Sequence, residues 1–321
     1  MLKHTQTDYL LPPLRILSLC LLFLPILLGS CSKSPHIKPS ITEPSSLPIV
    51  ITSIAPYQFL LQELAGDYIE IINTSAQSAD PHITSLTPEQ TIQLRSGKLF
   101  FSLNPVEEQL ILKSLGEQTQ IVEMWQGIPL LSKQGGHSHP DEDHDNPSEN
   151  QSENPSKNQE YLESWDEHFW LSPATLPAQI ETMAQALETL LPEQRDTLQA
   201  GKERLLERNR ELAQYLRHKL PQLQNGKIMS FHSALAYFAE FFNARQIFIE
   251  DQGIELGADE MLHLFEEAQE LSFPLLIISP QFEQETAKTL AQQLELGVVP
   301  FNPQAPDIFE SLSQLADALA Q

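Results

Sequence analysis

Ile49-Val50-Ile51-Thr52-Ser53 is a short run, β-branched from Ile49 to Thr52, lying between Pro48 and Pro56. Its lack of polar alternation predicts a strand buried on both faces, the kind found in parallel sheets. It runs straight into Pro56 to Ala65, where Phe59, Leu60 and Leu64 share one helical face before Gly66 ends the pattern. A strand feeding an amphipathic helix is the start of a β/α unit, and the unit recurs. Tyr68 to Asn73 predicts a strand, Pro88 to Ser96 a helix capped by Thr87 with Pro88 at its first position, and Lys98 to Leu103 a strand. Pro105 to Leu115 then predicts a helix and Gln120 to Met124 a strand.

Further along, Leu176, Ile180, Met183, Leu187 and Leu190 repeat at helical spacing, and Pro192 opens a second, charged helix reaching about Leu220. In Glu203 to His218 opposite charges are spaced to support a solvent-facing helix surface. The alternation then restarts with strands at Lys227 to Phe231, Gln246 to Glu250, Pro274 to Ser279 and Gly297 to Phe301. Helices at Ser233 to Phe242, Asp259 to Leu271, Glu283 to Leu294 and Asp307 to Ala320 follow them in turn. The expected fold is α/β: two β/α lobes with mainly parallel sheets, 48–172 and 193–321, joined by a linking helix over 173–192. No short internal period points to a solenoid.

Ahead of the first lobe, Lys3 and Arg15 provide a positive region and Ile16 to Leu28 an apolar run short for a bilayer span, so 1–31 reads as an export signal. It closes in Leu28-Gly29-Ser30-Cys31, which resembles a bacterial lipobox and marks Cys31 as the site of lipid attachment. Cys20 lies inside the signal, so the mature chain keeps no cysteine pair for a disulfide and must rely on its cores, for which 41% apolar residues over 321 suffice. Residues 32–47, rich in Ser and Pro, read as a flexible tether. The formal charge of -24 excludes nucleic acid as a partner, because a polyanion is bound by Lys and Arg that displace its counterions.

The chemistry-bearing residues fall in loops. In parallel α/β lobes, ligands bind beyond the carboxyl ends of the strands. Asp80-Pro81-His82 follows the strand at Tyr68 to Asn73, His168 precedes the helix at Pro173, His232 directly follows the strand ending at Phe231, and Asp307 follows the strand at Gly297 to Phe301. Three imidazoles and a carboxylate brought together between the lobes would suit a four-coordinate zinc site, or hold manganese or iron. Separately, the loop 135–160 sets His137, His139 and His144 among Asp141, Glu142, Asp143 and Asp145. That composition can capture a transition metal without a fold, and it is also the composition of an acidic linker. His4, His36, His218 and His263 receive no role.

Taken together, the lipobox, Ala79-Asp80-Pro81-His82, His168-Phe169-Trp170-Leu171, Ser230-Phe231-His232 with Tyr237-Phe238, and the late Asp307 resemble the metal-binding lipoproteins of bacterial zinc/manganese/iron ABC importers. The resemblance runs from Ile49 to Leu319 and is nearest to the zinc-binding members, which have a His- and acid-rich insert ahead of the second ligand. It implies one divalent ion held between the lobes by His82, His168, His232 and Asp307, and delivered to a membrane permease and its ATPase. Zn2+ is the expected cargo, with Mn2+ or Fe2+ as alternatives, since three nitrogen donors suit the softer ion. The protein would be exported and lipid-anchored, facing the periplasm or the cell exterior. Departures from the family pattern occur at Ser172, Ser233, Leu256, Gly257 and Asn302-Pro303, positions that bear on the orientation of the ligands rather than on their identity.

An exported zinc hydrolase would require an open coordination position and a base, with Glu167 or Glu255 available only if Asp307 did not ligate. The chain has neither HExxH nor GxSxG, and no enzyme activity is expected. A passive surface buffer or adhesin would depend on the His/acid loop alone, so deleting that loop separates it from an importer component.

Overall fold

The computed structural model describes residues 47–75, 86–132, 165–249, 258–281 and 284–321, which belong to one compact unit. The first lobe consists of β1 (Ile49–Thr52), α1 (Ala55–Ala65), β2 (Glu70–Asn73), α2 (Pro88–Leu94), β3 (Gly97–Ser102), α3 (Gln109–Ser114) and β4 (Gln120–Glu123). Helices α4 (Leu176–Leu190) and α5 (Arg195–Lys219) follow. The second lobe runs β5 (Lys227–Ser230), α6 (Ala236–Glu240), β6 (Arg245–Phe248), α7 (Ala258–Gln269), β7 (Leu275–Ile278), α8 (Gln284–Gln293), β8 (Gly297–Pro300) and α9 (Ile308–Leu319). Both sheets are four-stranded and parallel, ordered β2-β1-β3-β4 and β6-β5-β7-β8. Each therefore reverses its winding beside its first strand, between β1 and β3 and between β5 and β7, which is where such sheets open a crevice.

Local chemistry sets the boundaries. Thr87 caps α2 through a reciprocal pair with Gln90, its hydroxyl accepting the Gln90 N–H while the Gln90 side chain accepts the Thr87 N–H. Helix α3 begins at Gln109 rather than at Pro105 because the Asn104 side chain takes the Val106 N–H at 3.0 Å and bends 104–106 into a turn. Helix α6 likewise begins at Ala236, three residues later than expected, since the Leu235 N–H is donated to Gln246 Oε1.

Residues 173–192, expected as the link between lobes, form α4, whose buried Leu176, Ile180, Met183 and Leu187 pack on β3, β4 and α1 of the first lobe. The helix that touches both lobes is α5, which lies against α1 and α4 and also against α9. Its 25 residues span about 37 Å, and Leu198, Leu205 and Leu212 recur every seven residues to form a narrow buried stripe with Leu216. At Gly201 the two helices come so close that an added Cβ would lie 2.9 Å from the Glu63 carbonyl oxygen of α1. Arg204 donates to that same carbonyl at 3.2 Å, and at the other end of α5 Tyr215 and Lys219 both bond Asp317 of α9. The α5 stripe and parts of both sheets share one apolar core. No helix among the described residues is long and apolar enough to cross a membrane.

Candidate metal centre

His232 lies just beyond β5, beside the β5/β7 crevice, and its backbone is held from several sides. Ser230 Oγ donates to the His232 carbonyl at 2.7 Å, the Ala234 N–H does so at 2.9 Å and Gln246 Nε2 at 3.2 Å. Gln246 Nε2 also donates to Ser230 Oγ at 2.6 Å, so the turn after β5 rests on a strand residue of β6. The imidazole is half-buried.

His168 comes from the other lobe and is buried, immediately before a single 3-10 turn at Phe169–Leu171. Asp166 Oδ1 accepts both the His168 backbone N–H and Nδ1–H, each at 2.8 Å. A carboxylate can only accept, so the proton sits on Nδ1 and Nε2 carries the ring's lone pair, the arrangement seen in metal-binding imidazoles. The turn after His168 is anchored in turn: Gln179 Nε2 donates to the Phe169 carbonyl at 3.0 Å, Thr175 Oγ1 donates to the same oxygen, and Tyr57 Oη donates to Gln179 Oε1 at 2.7 Å. Trp170, its ring 5.1 Å from that of His168, donates Nε1–H across to the Pro303 carbonyl of the second lobe at 3.0 Å.

These two supports bring the His168 and His232 rings to a centroid separation of 5.4 Å at 79°. With Zn–N near 2.1 Å, two imidazoles on one tetrahedral ion would have centroids about 5 Å apart. Asp166, Glu167 and His168 form the one cluster of three or more possible ligand groups lying within 4.8 Å of one another among the described residues. Since Asp166 is committed to orienting His168, that cluster reads as a ligand with its partner.

Asp307 is placed differently from expectation. It is the N-cap of α9, Oδ1 accepting the N–H of Phe309 at 3.1 Å and of Glu310 at 3.2 Å. Arg208 of α5 grips both its oxygens, at 2.8 and 3.1 Å, and stacks over Phe309 at 4.6 Å and Phe59 at 5.5 Å. To ligate an ion, this carboxylate would have to abandon a cap and an ion pair in which one Arg208 nitrogen spans both its oxygens. His82, the loop histidines His137, His139 and His144, and Cys31 lie outside the described residues.

Several supporting residues carry no local sequence signal. Glu108, fully buried, sits at the β1/β3 crevice and accepts from Ser53 Oγ at 2.5 Å, Ser102 Oγ at 2.6 Å, and the N–H groups of Leu103 and Asn104 at 3.0 and 3.3 Å. Burial raises its pKa to about 7, with these donors opposing the shift. Burial, and secondarily the nearby Glu108 charge, push the Tyr57 phenol well above its usual range. Asp166 is marked in the sequence only by its place two residues ahead of an imidazole.

The model for the family described as zinc-uptake complex component A, periplasmic (ZnuA), matches residues 50–321. A putative metal-binding protein of Chlamydia muridarum is 24% identical over 272 residues, covering 84% of this chain and 90% of that protein. The high-affinity zinc uptake system protein ZnuA of Yersinia pestis is 24% identical over 250 residues, covering 76% and 79%. Among solved structures, a zinc-bound ZnuA deletion mutant lacking 138–173 superposes with a TM-score of 0.71 at 27% identity, covering 85% of this chain and 97% of that one.

Proposed function

This chain belongs to the ZnuA family, the periplasmic metal-binding components of zinc-uptake ABC importers, and on that premise we propose that it captures one zinc ion between its lobes through His82, His168 and His232. The supporting observation is the His168–His232 pair, contributed by opposite lobes at a ring separation of 5.4 Å, one ring held by Asp166 and the other carried on a turn pinned by Ser230 and Gln246. Three imidazoles favour zinc over manganese, whose preference for oxygen donors they do not meet. Asp307 has a structural role in this reading, holding α9 against α5, and a remaining coordination position is open to another donor.

The same reading extends to the rest of the chain. Cys31 carries a lipid that anchors the protein to a bacterial membrane, residues 32–47 let the lobes reach the permease, and an ATPase drives the transfer. The His/acid loop 135–160 gathers metal weakly beside the tight site. Family membership is that of a solute-binding component, and no enzymatic step is assigned to it.

Elemental analysis of protein purified without chelator tests the cargo. One tightly held equivalent of zinc is expected, retained when 135–159 is deleted. Manganese or iron in its place would reassign the metal within the family. Loss of nearly all metal with the loop would favour a passive buffer.

A further inference from the structure

We propose that Tyr237 is a positioning residue for the metal centre, its phenol bracing the segment that carries His168 against the one that carries His232 before any ion is bound. The inference rests on the metal-capture reading above.

Tyr237 is the second residue of α6, five positions after His232, and is buried in the second lobe. Its hydroxyl makes two bonds into the first lobe. It accepts the Leu131 N–H at 3.0 Å and donates to the Asp166 carbonyl at 3.0 Å. Those two partners are joined to each other, Asp166 N–H donating to the Leu131 carbonyl at 2.8 Å beside an antiparallel bridge between Ser132 and Trp165. One phenol therefore uses both its donor and its acceptor capacity on a small two-stranded contact that leads directly into His168.

The contacts close a circuit. Asp166, whose carbonyl Tyr237 holds, orients the His168 ring through its carboxylate. From His168 the circuit crosses to the His232 ring, 5.4 Å away. It returns to Tyr237 through a turn kept short by the bonds of Ala234, Leu235 and Gln246. The Tyr237 ring is itself fixed edge-on to Phe169, the residue after His168, at 6.1 Å. Loss of the hydroxyl would leave this packing in place while releasing the Asp166 backbone, and with it the angle at which His168 faces His232. Partners that orient ligating imidazoles typically contribute at least tenfold in metal affinity.

The test compares wild type and Tyr237→Phe, both metal-stripped full chains. Zinc affinity is read by competition with a chromophoric chelator, and ligand geometry by the visible absorption of bound Co2+. The expected result is an affinity weaker by about tenfold and an altered Co2+ spectrum, at a temperature where both proteins are folded. Hydrogen exchange on wild type supplies a reading that needs no variant. The Leu131 and Asp166 amides should be equally protected with and without zinc.

A folded Tyr237→Phe that binds zinc with wild-type affinity and an unchanged Co2+ spectrum would overturn the proposal, as would amides that exchange freely until zinc arrives. A wild type that takes up no zinc would instead overturn the functional reading, and this inference with it.

Discussion

Replacing Asp307 by Ala separates a structural carboxylate from a metal ligand. The structure assigns this side chain two tasks: capping the Phe309 and Glu310 N–H groups of α9, and an ion pair with one guanidinium nitrogen of Arg208. Loss of a cap of this type costs about 1 kcal/mol. The pair is 37% and 35% exposed on its two sides, so solvent screening holds its contribution to at most about 1 kcal/mol. The sum, about 2 kcal/mol, corresponds to a fall of roughly 4–8 °C in melting temperature for a fold of this size. Calorimetry on stripped and zinc-loaded protein should show that fall in both states, and chelator competition should give a zinc affinity within about twofold of wild type, since no ligand has been lost. A variant that melts like wild type when stripped yet binds zinc about a hundredfold more weakly would refute the reasoning and restore Asp307 to the coordination sphere.

Zinc at about a thousandfold above its dissociation constant should add roughly 4 kcal/mol to unfolding. His82→Ala, His168→Ala and His232→Ala should each remove most of that gain, while His137→Ala, His139→Ala and His144→Ala leave it, as thermal melts would show. Affinity should fall increasingly steeply below about pH 6.5 as protons compete for three imidazoles, and affinity flat to about pH 5 would exclude them. Glu108, with its folded pKa near 7 against an ordinary 4.5, keeps its proton in the folded state over that window, so it makes stability decline by about 3 kcal/mol as pH rises through it and level off above. Glu108→Gln should flatten this decline in urea titrations, and parallel curves for variant and wild type would count against it. Cys31→Ala should leave the melt unchanged and move the protein from the membrane fraction to the soluble one.

The strands and helices were legible because each has a strong local cause. Ile49-Val50-Ile51 has no solvent-facing alternation, and it is the central strand of its sheet, paired on both sides. Thr87-Pro88 specifies a helix start by chemistry that acts within three residues. His232 could be placed beyond the carboxyl end of its strand because it directly follows β5, and His168 only as a loop residue ahead of a helix. What eluded the sequence was contact across distance. Arg208 and Asp307 are 99 residues apart, and nothing near either one says that an N-cap carboxylate is gripped from another helix. Helix α4 has a strong apolar stripe, yet that stripe packs within the first lobe, on β3, β4 and α1. The helix that joins the lobes is the more charged one, whose leucines are spaced too far apart to stand out among Glu, Arg and Lys.

This division bears on how a bound ion would leave. Separating the lobes along α5 would uncover those of Leu198, Leu205, Leu212 and Leu216 that face the departing lobe, each contributing roughly 2 kcal/mol when fully buried. The bonds described near the centre are of another kind: Trp170 to Pro303, and Tyr237 to Leu131 and Asp166. Each is worth about 1 kcal/mol net, so losing all of them costs about 3 kcal/mol. A permease that disturbs these bonds meets a smaller cost than one that opens the molecule along its longest helix, where buried leucines are exposed as well. On the proposal that these bonds set the angle between His168 and His232, breaking them weakens the site in the same step, by about a hundredfold if their full worth is reflected in zinc affinity. Release would then need no rearrangement of either sheet, only the loss of the few polar contacts that aim one imidazole at the other.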